Sequence, residues 1–466
     1  MISSAVSALA DAEPAVFWLA DPAAPEPTSA LVGDTKADLV VVGGGYTGLW
    51  TALQAKEDDP GRDVVLLEGR TVGWAASGRN GGFCAASLTH GEANGLSRYP
   101  AEFDRLQEMG GHNLDGIEDT LLRYGIDAEF ERTGELDVAV ADWQVDELRE
   151  LADLLAAHGG GARLLDQDRT RDLVASPTYL AGLYDPEGVA LVHPAKLAWG
   201  LRRACLDIGV RVHEHSPVTG LERDGVDVRV RTAYAAVRAR QIALGTNVFT
   251  GLLRRLRHYI VPVYDYVLVT EPLSPQQRAT VGWQGRQGLS DAGNQFHYYR
   301  LTADNRILWG GYDAVYHRGG QVRTEYDQRP ATYATLAQHF FETFPQLAGL
   351  RFTHRWGGAI DTCSRFSPFW GTAYDGRLAY AVGYTGLGVG SSRFGARVML
   401  DLLSGADTER TRLEMVRRKP LPFPPEPART LAIRLTQKAI EHADQHAGHR
   451  NLWLRTLDRM GLGFDS

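Results

Sequence analysis

Residues 38–68 read DLVVVGGGYTGLWTALQAKEDDPGRDVVLLE, and this stretch constrains the fold more than any other. Residues 38–42 are mostly β-branched or apolar and suit a buried parallel strand. Gly43, Gly45 and Gly48 then fill a G-x-G-x-x-G frame, and 46–56 reads as a helix whose one glycine is Gly48. Asp58, Asp59, Pro60 and Gly61 break that helix, and 63–67 is a second apolar strand ending on Glu68. Glycines permit a tight turn and close backbone approach, and a helix start offers free N–H groups and a positive dipole end to a pyrophosphate. Glu68 is placed to accept hydrogen bonds from an adenosine ribose. The frame alone does not separate FAD from NAD. A bare glutamate argues against NADP, whose 2′-phosphate it would repel.

A chain of 466 residues has room for two domains and a large core. Hydrophobic content of 44% and charged content of 23% are those of a soluble globular protein. The net charge of −8 excludes a chain built as a whole to hold nucleic acid. Cys84, Cys205 and Cys363 are scattered, with no C-x-x-C, which argues against a disulfide framework or a metal site and suits a reducing cytoplasm. No apolar run approaches the ~18 residues of a membrane span. The N-terminus lacks the basic start and apolar stretch of a secretory signal.

Along the chain, 1–36 is an Ala- and Pro-rich lead-in that Phe17 and Trp18 pin to the body. After the dinucleotide unit comes Ala76-Ser77-Gly78-Arg79-Asn80-Gly81-Gly82, a small-residue loop able to approach a flat ring system closely. Helices are expected over 102–124, 145–158 and 196–207, the last opened by His193-Pro194. Strands are expected at 134–140, 182–192, 210–213, 218–222, 226–231 and 241–244, the last running into Gly245-Thr246-Asn247, where the sheet can meet its ligand again. From Val261 the pattern becomes short, aromatic-rich strands at 261–270, 296–301, 306–310 and 355–360, with one main helix at 331–344. That pattern reads as an antiparallel sheet inserted into the dinucleotide domain. An apolar strand at 378–382 then leads through Gly383, Gly386, Gly388 and Gly390 into a helix. The expected partition is 1–92, 163–260 and 356–409 for the FAD-binding domain, 93–162 and 261–355 for the substrate domain, and 410–466 for a C-terminal arm. The arm packs on its own body, makes a subunit contact, or attaches weakly to a membrane surface.

The order of these motifs resembles the D-amino-acid oxidase/glycine oxidase superfamily of FAD-dependent oxidoreductases, in its gamma-glutamylputrescine oxidase-like branch, over about residues 15–405. The resemblance implies an α/β fold: a Rossmann-like FAD-binding domain of discontinuous segments with an inserted α+β substrate domain built on an antiparallel sheet. It places Gly43, Gly44, Gly45, Tyr46, Thr47 and Gly48 at the FAD pyrophosphate. Glu68, Gly69 and Arg70 fall at the adenosine, and Val218 reaches the adenine side through its backbone. Ala76–Gly82 face the isoalloxazine, Gly245 and Thr246 end a strand beside the cofactor, and Gly386, Leu387, Gly388 and Val389 hold the pyrimidine end. Relatives often carry His where this chain has Leu387. Relatives with covalent FAD attach it through a His after a Trp before the loop, or through a Cys; here Ala75 follows Trp74 and Cys363 is out of register. Noncovalent FAD and an unreactive Cys363 are therefore expected.

The implied reaction oxidises a C–N bond: a neutral amine gives hydride from its α-carbon to the flavin, and the imine hydrolyses. Substrate contacts are expected from Tyr266, His297, Tyr298, Arg300, Trp356 and Asp361. Arg300 either clamps a carboxylate or makes a structural ion pair. Asp361 either attracts a cationic amine or caps a turn. Tyr298 and Trp356 either wall the amine pocket or simply pack. Three functions remain open: an amine or amino-acid oxidase, a dehydrogenase with another acceptor, and a non-catalytic FAD-binding assembly or regulatory protein. Arg79 is the candidate charge for oxygen reactivity. The expected partner is a small amine or amino acid, in the cytoplasm, with a possible homo-oligomer through the arm.

Overall fold

The computed structural model describes residues 2–462, so Met1 and the last residues of the arm, 463–466, lie outside the described residues. Two sheets organise the chain. The first runs in the order Phe369–Ala373, Leu378–Val382, Ala236–Leu244, Thr35–Val42, Val64–Leu67 and Arg211–His213. All of its neighbours are parallel except the edge strand Phe369–Ala373. Val42 lies between Leu67 and Leu244, so the strand feeding the glycine turn sits at the centre. Val64–Leu67 is buried throughout, as expected of a parallel strand covered on both faces. The helices Tyr46–Asp58, Pro194–Asp207 and Gly388–Ser404 pack together against this sheet through one large core. Strands Gly220–Asp224 and Asp227–Arg231 extend Ala236–Leu244 antiparallel beside it.

The second sheet takes the order Val315–Tyr316, Val261–Thr270, Ile307–Gly311, His297–Leu301, Gly288–Asp291, Glu135–Ala139, Ala181–Asp185 and Arg163–Leu165. Phe352–Thr362 also pairs with Val261–Thr270 along its length. The sheet is antiparallel as expected, apart from one parallel pair between Gly288–Asp291 and Glu135–Ala139. The helix Pro330–Thr343 covers it over an aromatic core that includes Tyr299, Trp309, Phe340 and Phe344. Two expected boundaries shift. The substrate sheet continues past residue 162, because Arg163–Leu165 and Ala181–Asp185 pair within it. Phe352–Thr362 runs unbroken through the expected division at 355/356. Arg163–Leu165 is three residues long and largely exposed, so its membership rests on a long-range partner and leaves no local signal.

The lead-in is tied down more firmly than by Phe17 and Trp18 alone. Ala5, Ala8, Leu9 and Ala12 bury in the second core, and Glu13 bridges to His354. The C-terminal arm forms the helices Ala428–Gln445 and Leu452–Arg459 and lies against its own chain. Asp444 accepts from the backbone N–H groups of Asn294 (3.2 Å) and Gln295 (2.9 Å), and the backbone N–H of Phe423 donates to His258 (2.7 Å). Among the described residues no helix is long and apolar enough to cross a membrane.

Candidate active site

The glycine turn is built by contact. A Cβ on Gly48 would lie 1.9 Å from the Gly43 carbonyl oxygen, and one on Gly43 would lie 2.5 Å from that of Gly245. Gly43 also has φ +111°, in the region that glycine alone adopts freely. Three glycines from two neighbouring strand ends thus close on one another. The Gly44 N–H donates to the buried Glu68 carboxylate at 2.6 Å, which also accepts from the Arg70 N–H and the Trp74 indole N–H, each at 2.8 Å. Glu68 therefore fixes the turn as well as standing where a ribose is expected. The Arg70 guanidinium lies 4.3 Å over the Trp74 ring, and Gly69 abuts Pro217.

The helix Tyr46–Asp58 has no side-chain cap, and neither has Gly388–Ser404. Both of these helix starts open on one cavity of about 790 Å³, lined by Tyr46 and Thr47 on one side and Gly386–Val389 on the other. Ala76, Ser77, Arg79, Asn80 and Gly81 of the small-residue loop line the same cavity. The Ser77 hydroxyl accepts from the Tyr46 N–H at 2.9 Å, holding the loop against the first helix turn. The N–H groups of two helix starts left over after Ser77 takes that of Tyr46, with the glycine turn behind them and a small-residue floor, fit a dinucleotide carrying a flat ring. Gly245 closes the glycine turn from behind, the Thr246 carbonyl accepts from the Phe249 N–H, and Val218 packs beside the sheet core; like Gly43–Gly45, Gly48, Glu68–Arg70, Gly78 and Gly82, they do not line the cavity. Cys363 is buried away from the cavity, its thiol donates to the Ser367 carbonyl at 3.1 Å, and burial raises its pKa.

The six expected substrate residues separate into two groups. Tyr298, Trp356 and Asp361 line the cavity; Tyr266, His297 and Arg300 do not. Strand phase explains two of the misses. In Val261–Thr270, Asp265 and Val267 face the cavity, while Tyr266 turns the other way, packs edge-on to Tyr333 at 5.7 Å and donates to the Tyr326 carbonyl. His297 likewise faces the aromatic core, between the Asp291 carboxylate (2.6 Å) and His339 (3.0 Å). Arg300 is only 1% exposed and donates to the carbonyls of Val192 (2.7 Å), Gly82 (3.3 Å) and Leu301 (3.2 Å). It ties the end of the small-residue loop at Gly82 to the backbone at Val192 and Leu301 and does not line the cavity.

Of the residues that do line it, Asp361 is spent on structure in part: it accepts from the Gly383 N–H at 2.6 Å, fixing the second glycine-rich turn. Burial raises its pKa to about 7, against the backbone N–H groups that stabilise the carboxylate. The Trp356 indole donates to the Arg79 carbonyl at 2.8 Å, so it props the loop while walling the cavity. The Arg79 guanidinium pairs with Asp327 at 2.6 Å.

Three lining carboxylates were not among the expected residues, and one of them, Asp313, is paired with Arg329 at 2.6 Å. Asp265 lines the cavity and accepts from the Tyr298 phenol and from its neighbour's N–H, and burial raises its pKa to about 6. Glu135 lines it too, accepts from the Ser290 hydroxyl at 3.1 Å, and burial, then the nearby Asp137, push it well up. The signal for Asp265 was present in VPVYDYVLVT, where one charge interrupts an apolar alternation and needs a reason to be there. The arm also contributes, through Phe423, Ile433, Ile440, Trp453 and Leu457.

A family model described as FAD dependent oxidoreductase (DAO) matches residues 38–402. The gamma-glutamylputrescine oxidoreductase of Escherichia coli is 34% identical over 380 residues, covering 80% of this chain and 84% of that protein. A probable oxidoreductase, OrdL, of Haemophilus influenzae is 30% identical over 383 residues, with coverage of 80% and 84%. The glycine oxidase structure of Bacillus cereus superposes with a TM-score of 0.66 at 18% identity, over 82% of this chain and 99% of that one, a likeness of fold.

Proposed function

The chain belongs to the DAO family of FAD-dependent oxidoreductases, and on that premise we propose that it oxidises a C–N bond of a small amine or amino acid, with oxygen as acceptor and hydrogen peroxide as by-product. Bound FAD supplies the two-electron acceptor for hydride leaving the substrate α-carbon. The nitrogen lone pair becomes the second bond of an imine, and water then cleaves the imine to a carbonyl compound and ammonia or an amine. The observation that carries the reading is the cavity shared by the two uncapped helix starts, the small-residue loop and Asp265 with Tyr298.

The work of the protein is positioning and exclusion of competing water. Asp265 draws in the substrate ammonium, and burial has moved its pKa towards the range where it can also hold a proton lost from that nitrogen. Tyr298 fixes the carboxylate, and Trp356 keeps the loop backbone in place through the Arg79 carbonyl. An aromatic, open cavity also suits turnover better than an assembly role. The name of the Escherichia coli relative supports an amine over a neutral substrate.

The test is anaerobic mixing of the FAD-loaded protein with D-amino acids, N-methylated amino acids, polyamines and simple alkylamines. Bleaching of the visible flavin band by an amine is the expected result, with rapid return of colour on admitting air. A slow return in air, but fast with an artificial acceptor, would replace oxidase by dehydrogenase. A flavin that no member bleaches would overturn the reading.

A further inference from the structure

The family match ends at residue 402, yet the arm beyond it forms part of the cavity wall. Ile433, Ile440 and Leu457 present an apolar surface from the two arm helices, with Phe423 and Trp453 beside them. This wall is anchored. Asp444 holds the loop at Asn294 and Gln295, the Tyr316 phenol donates to Glu426, and the Ser364 hydroxyl donates to the Leu421 carbonyl at 2.6 Å. The carboxylates Asp265 and Glu135 lie in the same cavity on strands of the substrate sheet.

Positive charge is sparse in it. Among the described residues the lining contains no lysine, and its arginines are Arg79 and Arg429. Arg79 is paired with Asp327, and Arg429, 9% exposed, donates to the Pro424 carbonyl at 3.0 Å. His90 is held neutral at ordinary pH, its pKa lowered to about 4 by burial. Arg300, the one expected clamp, is bonded elsewhere. A substrate carboxylate would therefore enter a site with several acidic groups and one arginine outside a salt bridge, Arg429, whose Nε is already given to a backbone carbonyl.

We propose that the compartment between the substrate sheet and the C-terminal arm binds an amine with an extended apolar substituent and no carboxylate, its nitrogen towards Asp265 and its chain against Ile433, Ile440 and Leu457. The proposal rests on the amine-oxidation reading for its chemistry, but binding at the compartment is measurable without turnover.

The experiment titrates the FAD-loaded full chain anaerobically with n-alkylamines from ethylamine to octylamine and with 2-aminooctanoate, reading Kd from the change in the visible flavin spectrum and reduction from its bleaching. Each added methylene is expected to tighten Kd about threefold to fourfold. 2-Aminooctanoate is expected to bind about tenfold or more weaker than heptylamine. Ile440→Asp is expected to flatten the dependence on chain length. Ile433→Ala and Ile440→Ala, milder changes whose flavin spectra report folding, are expected to cost octylamine about tenfold in Kd. A Kd independent of chain length, an unchanged dependence in all three variants, or tighter binding of 2-aminooctanoate would each overturn the proposal. Chain-length-dependent binding with no bleaching by any amine would support the compartment and overturn amine oxidation instead.

Discussion

The Tyr298 phenol reaches over Gly310 to donate to the Asp265 carboxylate at 2.5 Å. The two residues stand on strands separated by Ile307–Gly311, with Gly310 directly opposite Tyr298 in the register. A Cβ at Gly310 would lie 2.6 Å from the Tyr298 ring, so the missing side chain is what allows the phenol to cross. On its other side the same ring rests against Gly81 of the small-residue loop, where a Cβ would also lie 2.6 Å away. One aromatic ring thus connects the cofactor loop to the carboxylate.

Gly310→Ala is expected to displace that ring. Overpacking costs about 1–3 kcal/mol, and the hydrogen bond to Asp265 is lost with it. The expected outcome is a folded, flavin-containing protein whose amine Kd rises about tenfold. Normal amine affinity in this variant would show that the crossing has no part in binding.

The pH dependence follows from Asp265. Its pKa, raised to about 6 by burial, leaves it neutral below that value and charged above it. Attraction for an ammonium therefore grows as pH rises through about 6 and is absent well below it. The wild-type protein is expected to bind alkylamines about tenfold more tightly at pH 8 than at pH 5. Asp265→Asn should remove that step and leave a flat, weaker Kd over the same range. A step that survives in Asp265→Asn would assign the titration to another group.

Arg300→Lys distinguishes the two roles open to Arg300 from sequence. A lysine cannot reproduce the set of donations to Val192, Gly82 and Leu301. Stability is expected to fall by about 1–3 kcal/mol, read by thermal unfolding, with flavin retention falling in step. The relative Kd values of octylamine and 2-aminooctanoate should stay as in the wild type. A selective loss of 2-aminooctanoate binding would restore the carboxylate clamp.

The three cysteines are buried, and burial pushes the Cys84 thiol up to about 12 and raises Cys205 and Cys363 as well. A thiol reagent is expected to label none of them in the native protein at pH 8 and all three after denaturation. Acid precipitation should leave the yellow colour in the supernatant, as noncovalent FAD requires. Colour retained in the pellet would mean a covalent link.

Much of the cofactor half was legible because its signals are local. Gly43, Gly48 and Glu68 carry their reasons within one strand–turn–helix–strand unit, and the second turn at Gly383–Gly390 repeats the logic. The substrate half was legible as a sheet but poorly as a site. Tyr266 and Asp265 are adjacent in sequence and point to opposite faces, and nothing local fixes which face is the cavity. Arg300 shares the phase of Tyr298, yet its guanidinium is taken by carbonyls more than a hundred residues away. The arm gave a moderate amphipathic helix and no hint of what its inner face would cover, because the partner wall comes from the rest of the chain.

The central sheet also sets a schedule for synthesis. Ala236–Leu244 is paired with Thr35–Val42, with Asp227–Arg231 and with Leu378–Val382, and the last of these arrives only after the intervening strands of the other sheet have been made. At ribosomal speed that interval lasts on the order of ten seconds. Throughout it the apolar end of that strand, Ile242–Leu244, lacks its partner while the rest of the edge pairs with Asp227–Arg231, and an open strand end is the kind of surface that recruits other strands. A ribosome stalled before Leu378 therefore holds a chain that needs a chaperone to keep it single, and truncations just short of that strand should be recovered from cells as aggregates rather than as flavin-free monomers.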